Sequence, residues 1–108
     1  MLEIKGEEVV LNKNKGVMGA FVYEKVFNRS LTDDVIKTIG TGELSEVKFD
    51  VVTVARLMYL MGGLDKKMSF ESFLQEIPED YDFFSDFEEV LEKAVSYYLP
   101  TKSPETKE

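Results

Sequence analysis

The chain reads as an α+β domain that is mainly helical, with an N-terminal β-hairpin packed on four to five helices. Three observations predict this. Short stretches of alternating hydrophobicity occur near the start. Apolar residues then recur at helical spacing in several separate segments. Helix-capping residues and helix stops divide those segments from one another.

The hairpin is read from Leu2 to Leu11, around a turn at Lys5-Gly6. Leu2 and Ile4 share one face of the first strand, and Val9 and Leu11 share one face of the second. An isolated hairpin is barely stable in water, so this one must lean on helices. A helix is predicted over about Val17 to Phe27, with Met18, Val22 and Val26 as its apolar stripe and Tyr23 and Phe27 beside them. Gly16 and Gly19 weaken its start but allow close approach of a neighbouring backbone.

The next helix starts with Thr32 as cap, Asp33 and Asp34 at the positive end of its dipole, and Leu31 stapling onto Ile36. It ends at Gly40. Thr41 to Lys48 follows as a loop, or as a third short strand if Val47 and Phe49 alternate into the sheet. Asp50 then caps a helix over Val51 to Met61, with Phe49 stapling onto Val54. Apolar residues surround most of it, which predicts a central position, and Gly62-Gly63 ends it. Ser69 caps a short helix carrying Phe70, Phe73, Leu74 and Ile77, with Met68 stapling onto Phe73 and Pro78 as its stop. The last helix runs from near Asp82 to Leu99, where Pro100 closes it. Its stripe is Phe83, Phe87, Val90, Leu91, Ala94 and Tyr98. Residues 1–100 form the expected globular domain. Residues 101–108 are polar, contain Pro104 and read as a disordered tail.

Composition narrows the chemistry. With 108 residues and 44% hydrophobic content the chain can bury one core. It has no cysteine and no histidine, so thiolate chemistry, disulfides and the commonest zinc ligands are excluded. No cofactor is expected and a non-enzymatic role is preferred. The net charge of −8 repels phosphates and anionic lipids, which disfavours nucleic-acid and membrane binding. The start lacks the pattern of a signal peptide, and the longest apolar run is too short to span a bilayer, so a cytoplasmic location is expected.

Candidate motifs mostly dissolve on inspection. Gly62 to Phe73 departs from a calcium loop at four needed positions. Gly40-Thr41-Gly42 lacks the remainder of a phosphate loop. Asp80, Asp82 and Asp86 suggest a hard-cation site, but Phe83 and Phe84 fill positions where oxygens would be needed, and acids around a first turn stabilise the helix dipole. The unusual stretch is Glu76 to Glu92, which holds eight acids and no lysine or arginine, with Tyr81, Phe83, Phe84 and Phe87 among them. Four aromatics so close together cannot all lie on one helical stripe. Tyr81 and Phe84 are therefore expected to stay partly exposed, rimmed by Asp80 and Asp82, as a partner-binding patch. Tyr97, beside core-facing Tyr98, is a weaker candidate of the same kind.

The order of elements carries a family resemblance. A Leu-Glu-Ile-Lys-Gly-Glu-Glu-Val opening precedes a helix bearing Tyr23-Glu24-Lys25-Val26-Phe27-Asn28. A central apolar helix and an acidic C-terminal half follow, the latter with Phe70-Glu71-Ser72-Phe73-Leu74 and Phe87-Glu88-Glu89-Val90-Leu91. This outline resembles the tail assembly chaperones of long-tailed phages and prophages of Gram-positive bacteria. The resemblance implies binding to the tape-measure protein, recruitment of tail-tube subunits and self-association into a homo-oligomer. A competing expectation is an acidic decoy, whose carboxylates imitate nucleic-acid phosphates for a host nucleic-acid-binding protein.

Overall fold

A computed structural model describes residues 2–39 and 50–99. The fold is α+β and mainly α, with a two-stranded antiparallel sheet followed by five α-helices among the described residues. The third strand, Phe49, the glycine of the predicted helix stop at Gly40 and the tail 101–108 lie outside the described residues.

Strand β1 (Glu3–Ile4) pairs with β2 (Glu7–Glu8) in the register Glu3 to Glu8 and Ile4 to Glu7. Lys5 and Gly6 form the two-residue turn with φ of 54° and 83°. Positive φ at both central positions is the backbone twist that matches paired strands. The ladder itself is short. Val9 N–H still donates to the Leu2 carbonyl at 2.9 Å, and Leu2, Ile4, Val9 and Leu11 all reach the core.

Helix α1 (Gly16–Phe27) begins where expected but presents a different face. Gly19 and Tyr23 are buried, with Ala20, Val22 and Phe27 partly so, whereas Met18 and Val26 are exposed. Two contacts set this rotation. Tyr98 and the Asn14 carbonyl press against Gly19 so closely that a Cβ there would lie 2.0 Å from Asn14 O and 2.4 Å from Tyr98 Cε1. The Tyr23 hydroxyl donates to Asp34 at 2.6 Å. Helix α2 (Leu31–Ile39) is capped by Ser30 instead of Thr32: Ser30 Oγ accepts from Asp33 N–H at 3.2 Å. The cap therefore sits two residues earlier, Leu31 enters the core and Ile36 faces outward, so the expected staple between them does not form.

Helix α3 (Val51–Met61) is the centre of the fold, packed on α1 and on both later helices, α4 (Phe70–Glu76) and α5 (Phe83–Tyr98). Asp50 caps it by accepting from Val52 N–H at 3.1 Å and Thr53 Oγ1 at 2.9 Å. Its residues from Thr53 to Met61 are buried except Arg56. After a 3-10 turn (Leu64–Lys66), Ser69 caps α4 as read from the sequence, and Asp82, read as the start of the last helix, caps α5. Phe73 is sealed in the core, but Leu74 on the same helix is exposed. The inward stripe of α5 is centred on Val90 and Ala94, with Phe83, Phe87, Leu91 and Tyr98 partly buried around them.

Candidate partner-binding surface

The five residues singled out from the sequence do not form one patch. Asp80 and Asp82 are exposed near the start of α5, and Asp82 is also its cap, accepting from Phe84 N–H at 3.0 Å. Phe84 is 65% exposed and stacks on Phe87, with ring centroids 6.4 Å apart. Tyr81 is less exposed than Phe84. Its N–H donates to the Pro78 carbonyl, and that turn folds the ring onto Phe83 in an edge-to-face contact at 4.7 Å. Its hydroxyl donates to Asp86 Oδ2. Burial first, and then the bond to Asp86, raise the Tyr81 pKa above that of a free phenol. Tyr81 is thus a half-buried, partly exposed anchor of the chain entering α5.

Tyr97 sits about 20 Å further along the axis of α5 from Phe84, at 1.5 Å per residue. It is half-buried, and its hydroxyl donates to the Leu11 carbonyl at 2.8 Å. Tyr98 makes the matching bond to the Asn14 carbonyl at 2.7 Å. These two tyrosines fasten the end of α5 to the segment between the hairpin and α1. The Lys15 ammonium lies 5.0 Å from the centre of the Tyr97 ring.

The sequence reading missed an uncovered apolar face on α1. Val17 is 87% exposed, Met18 60% and Phe21 59%. At 100° per residue these three share the face of α1 that points away from Gly19 and Tyr23. A groove of about 330 Å³ continues this face, lined by Val17, Ala20, Thr32, Tyr97 and Leu99 among others. Tyr97 therefore does border an apolar surface, but one made with α1 and not with Phe84. One signal pointed to it. Helix α1 carries only Glu24 and Lys25 as charged residues, so it has more apolar side chains than a single buried face can take.

Behind this surface stands a buried polar network that fixes α1 against α2 and α3. The Asp34 side chain is 4% exposed. It accepts from Tyr23 at 2.6 Å and from Arg29 Nε and Nη2 at 2.8 and 2.9 Å. Arg56 Nε in turn donates to the Tyr23 hydroxyl at 3.0 Å. Burial acts to raise the Asp34 pKa, but the bonds from Arg29 and Tyr23 and the nearby positive charges outweigh it, so the carboxyl is held below its usual range. Burial and the bond to Asp34 push the Tyr23 phenol up. The sequence reading gave Asp34 only a dipole role, because its partners Tyr23 and Arg56 lie on other helices.

Among the described residues no group of acids is placed to hold a metal ion, and no helix is long and apolar enough to cross a membrane. What the surface offers is apolar contact with charged borders. Comparison of the chain with protein-family models, with curated proteins and with solved structures finds no match.

Proposed function

We propose that this chain is a tail assembly chaperone of a long-tailed phage or prophage, acting without catalysis in the cytoplasm of the bacterial host. In this reading it covers apolar stretches of the tape-measure protein, keeps them from aggregating and helps bring tail-tube subunits to them. The observation that carries the proposal is the uncovered face of Val17, Met18 and Phe21, continued by the groove beside Tyr97. Large exposed apolar side chains clustered on one helix mark surfaces made for protein contact. The face has polar borders in Lys15, Glu24 and Lys25, as partner surfaces commonly do. Many modest contacts of this kind, repeated along an extended client, give avidity while each stays weak enough to release.

Self-association into a homo-oligomer belongs to the same reading. The end at Phe84 is rimmed by acids, whereas the α1 face is bordered by two lysines and Glu24, so the two are different surfaces. A contact between them would be head-to-tail, the type that builds rings or open helical assemblies.

The test is co-expression with a tape-measure fragment. The native chain is expected to keep the fragment soluble and to co-purify with it. Val17→Asp combined with Phe21→Asp is expected to abolish both, with helix content unchanged. Equal recovery of the fragment with that variant would refute the assignment of the surface. Failure of the native chain to bind any tape-measure segment would refute the function.

The decoy reading draws support from a separate observation: of the eight acids from Glu76 to Glu92, all but Asp86 are exposed. A host nucleic-acid-binding protein would then bind this segment with a steep loss of affinity as salt rises. Apolar clamping of a client on α1 has no such dependence, so a salt titration separates the two.

A further inference from the structure

The described cations of this acidic chain are not spread evenly over its surface. Three lysines meet where the segment leaving the hairpin crosses the end of α3. Lys13 N–H donates to the Met61 carbonyl at 2.8 Å. Asn14, in the left-handed region at φ 53°, donates from Nδ2 to the Leu60 carbonyl at 2.7 Å and to Asp65 Oδ1 at 2.9 Å. These bonds lay the Lys13 stem on Gly63. A Cβ at Gly63 would come within 2.8 Å of Lys13 Cγ, and its φ of +71° also favours glycine. The result is a concavity of about 250 Å³ lined by Lys13, Asn14, Gly63, Lys66 and Lys67.

Its charge is poorly balanced. Lys67 meets Glu7 at 3.6 Å, but both side chains are largely exposed, and such pairs hold little. Among the described residues no carboxylate lies within 4 Å of the Lys13 or Lys66 ammonium group. Asp65, next in sequence to Lys66, already accepts a bond from Asn14. Like charges gathered on a concave wall focus a positive potential that a bound anion relieves.

We propose that this concavity recognises an acidic peptide segment of a partner protein. The chemistry of its donors selects that class. Both Asn14 amide hydrogens are spent on the fold, and no arginine fork is present, so a lone phosphate meets no rigid cage. Three ammonium groups on flexible stems suit several carboxylates spaced along an extended chain. A nucleic acid would need a longer basic track, and the remainder of a chain with net charge −8 repels it. The site is separate from the α1 face and stands or falls independently of it.

Fluorescein-labelled hexaglutamate is the probe, read by fluorescence anisotropy on the full chain at low salt. Saturable binding is expected. The triple variant Lys13→Gln, Lys66→Gln, Lys67→Gln is expected to weaken it about tenfold, since each exposed charge contact contributes modestly. The control pair Lys37→Gln and Lys93→Gln is expected to stay within about twofold of native, a change of less than one such contact. Absence of saturable binding, or equal losses in triple and control variants, would overturn the site. Tighter competition by inorganic phosphate or by a single-stranded oligonucleotide would overturn the ligand class. A concentration-dependent rise in mass that the triple variant abolishes would reassign the site to a second copy. Should the triple variant misfold, amide shift mapping of the native chain decides: hexaglutamate must perturb Lys13, Gly63 and Lys66 first, and perturbation elsewhere overturns the proposal.

Discussion

Replacing Asp34 by Asn tests whether the polar network at the junction of α1, α2 and α3 holds the helices in place. The side chain is nearly isosteric and can still accept the Tyr23 proton. It carries no charge, however, and its amide nitrogen would face the Arg29 fork, donor against donor. Removing one partner of a buried ion pair costs about 3–5 kcal/mol. Arg29 is 44% exposed and can turn to water, whereas Arg56, whose side chain is 13% exposed, cannot easily do so. The low end, about 3 kcal/mol, is therefore expected. For a chain of this size that is a fall in Tm on the order of 15 °C. Urea unfolding and thermal scans read it directly. The pH dependence carries a sign. Because the folded Asp34 pKa is lowered, its contribution is present above the unfolded carboxyl value and is lost as pH falls through the folded one. Native stability should thus fall in acid more steeply than that of Asp34→Asn, and the two curves should converge at low pH. A loss under about 1 kcal/mol at neutral pH, the range of an exposed pair, would refute the reasoning, as would parallel acid limbs.

Four further substitutions probe other sites. Gly19→Ala forces a Cβ to within 2.0 Å of the Asn14 carbonyl, a backbone atom, so a loss of about 2–3 kcal/mol in urea unfolding is expected. Lys5→Asn places a residue that tolerates positive φ in the hairpin turn, ahead of Gly6, and should raise stability by about 0.5 kcal/mol. Tyr81→Ala removes a half-buried ring and its bond to Asp86 and should cost about 2 kcal/mol, whereas Phe84→Ala, at a largely exposed ring, should cost under about 1 kcal/mol. Equal thermal shifts in that last pair would contradict the different placements of the two rings.

The helices with capping residues were legible in the sequence. Asp50, Ser69 and Asp82 stand where the caps of α3, α4 and α5 are observed, because a cap is a local bond between a side chain and an amide two or three residues on. The hairpin faces were legible for a similar reason, since alternation is a property of the strand itself. The rotation of α1 was not. Periodicity counts apolar side chains, and it favoured Met18 over Gly19; the packing favours the residue without a side chain, because Tyr98 and the Asn14 carbonyl need the space. The same limit hid the candidate surface. Met18 reads as core material until a tyrosine from the far end of the chain claims the opposite face. The bond that anchors Tyr81 was not legible, because its partner Asp86 looked like one more solvated acid. Ser30 was overlooked as a cap beside Thr32, a difference of two residues that changes which apolar residue points inward.

The proposed role requires the outer face of α1 to grip a client. Titrating methyl-labelled protein with a tape-measure segment, and following the Val17, Met18 and Ala20 methyl signals by NMR, tests that most directly. Those signals, with Leu99 across the groove, are expected to shift first and to saturate together, while Val54 and Val90 in the core stay put. Saturable binding that leaves the α1 methyls unmoved and shifts another surface would contradict the central claim.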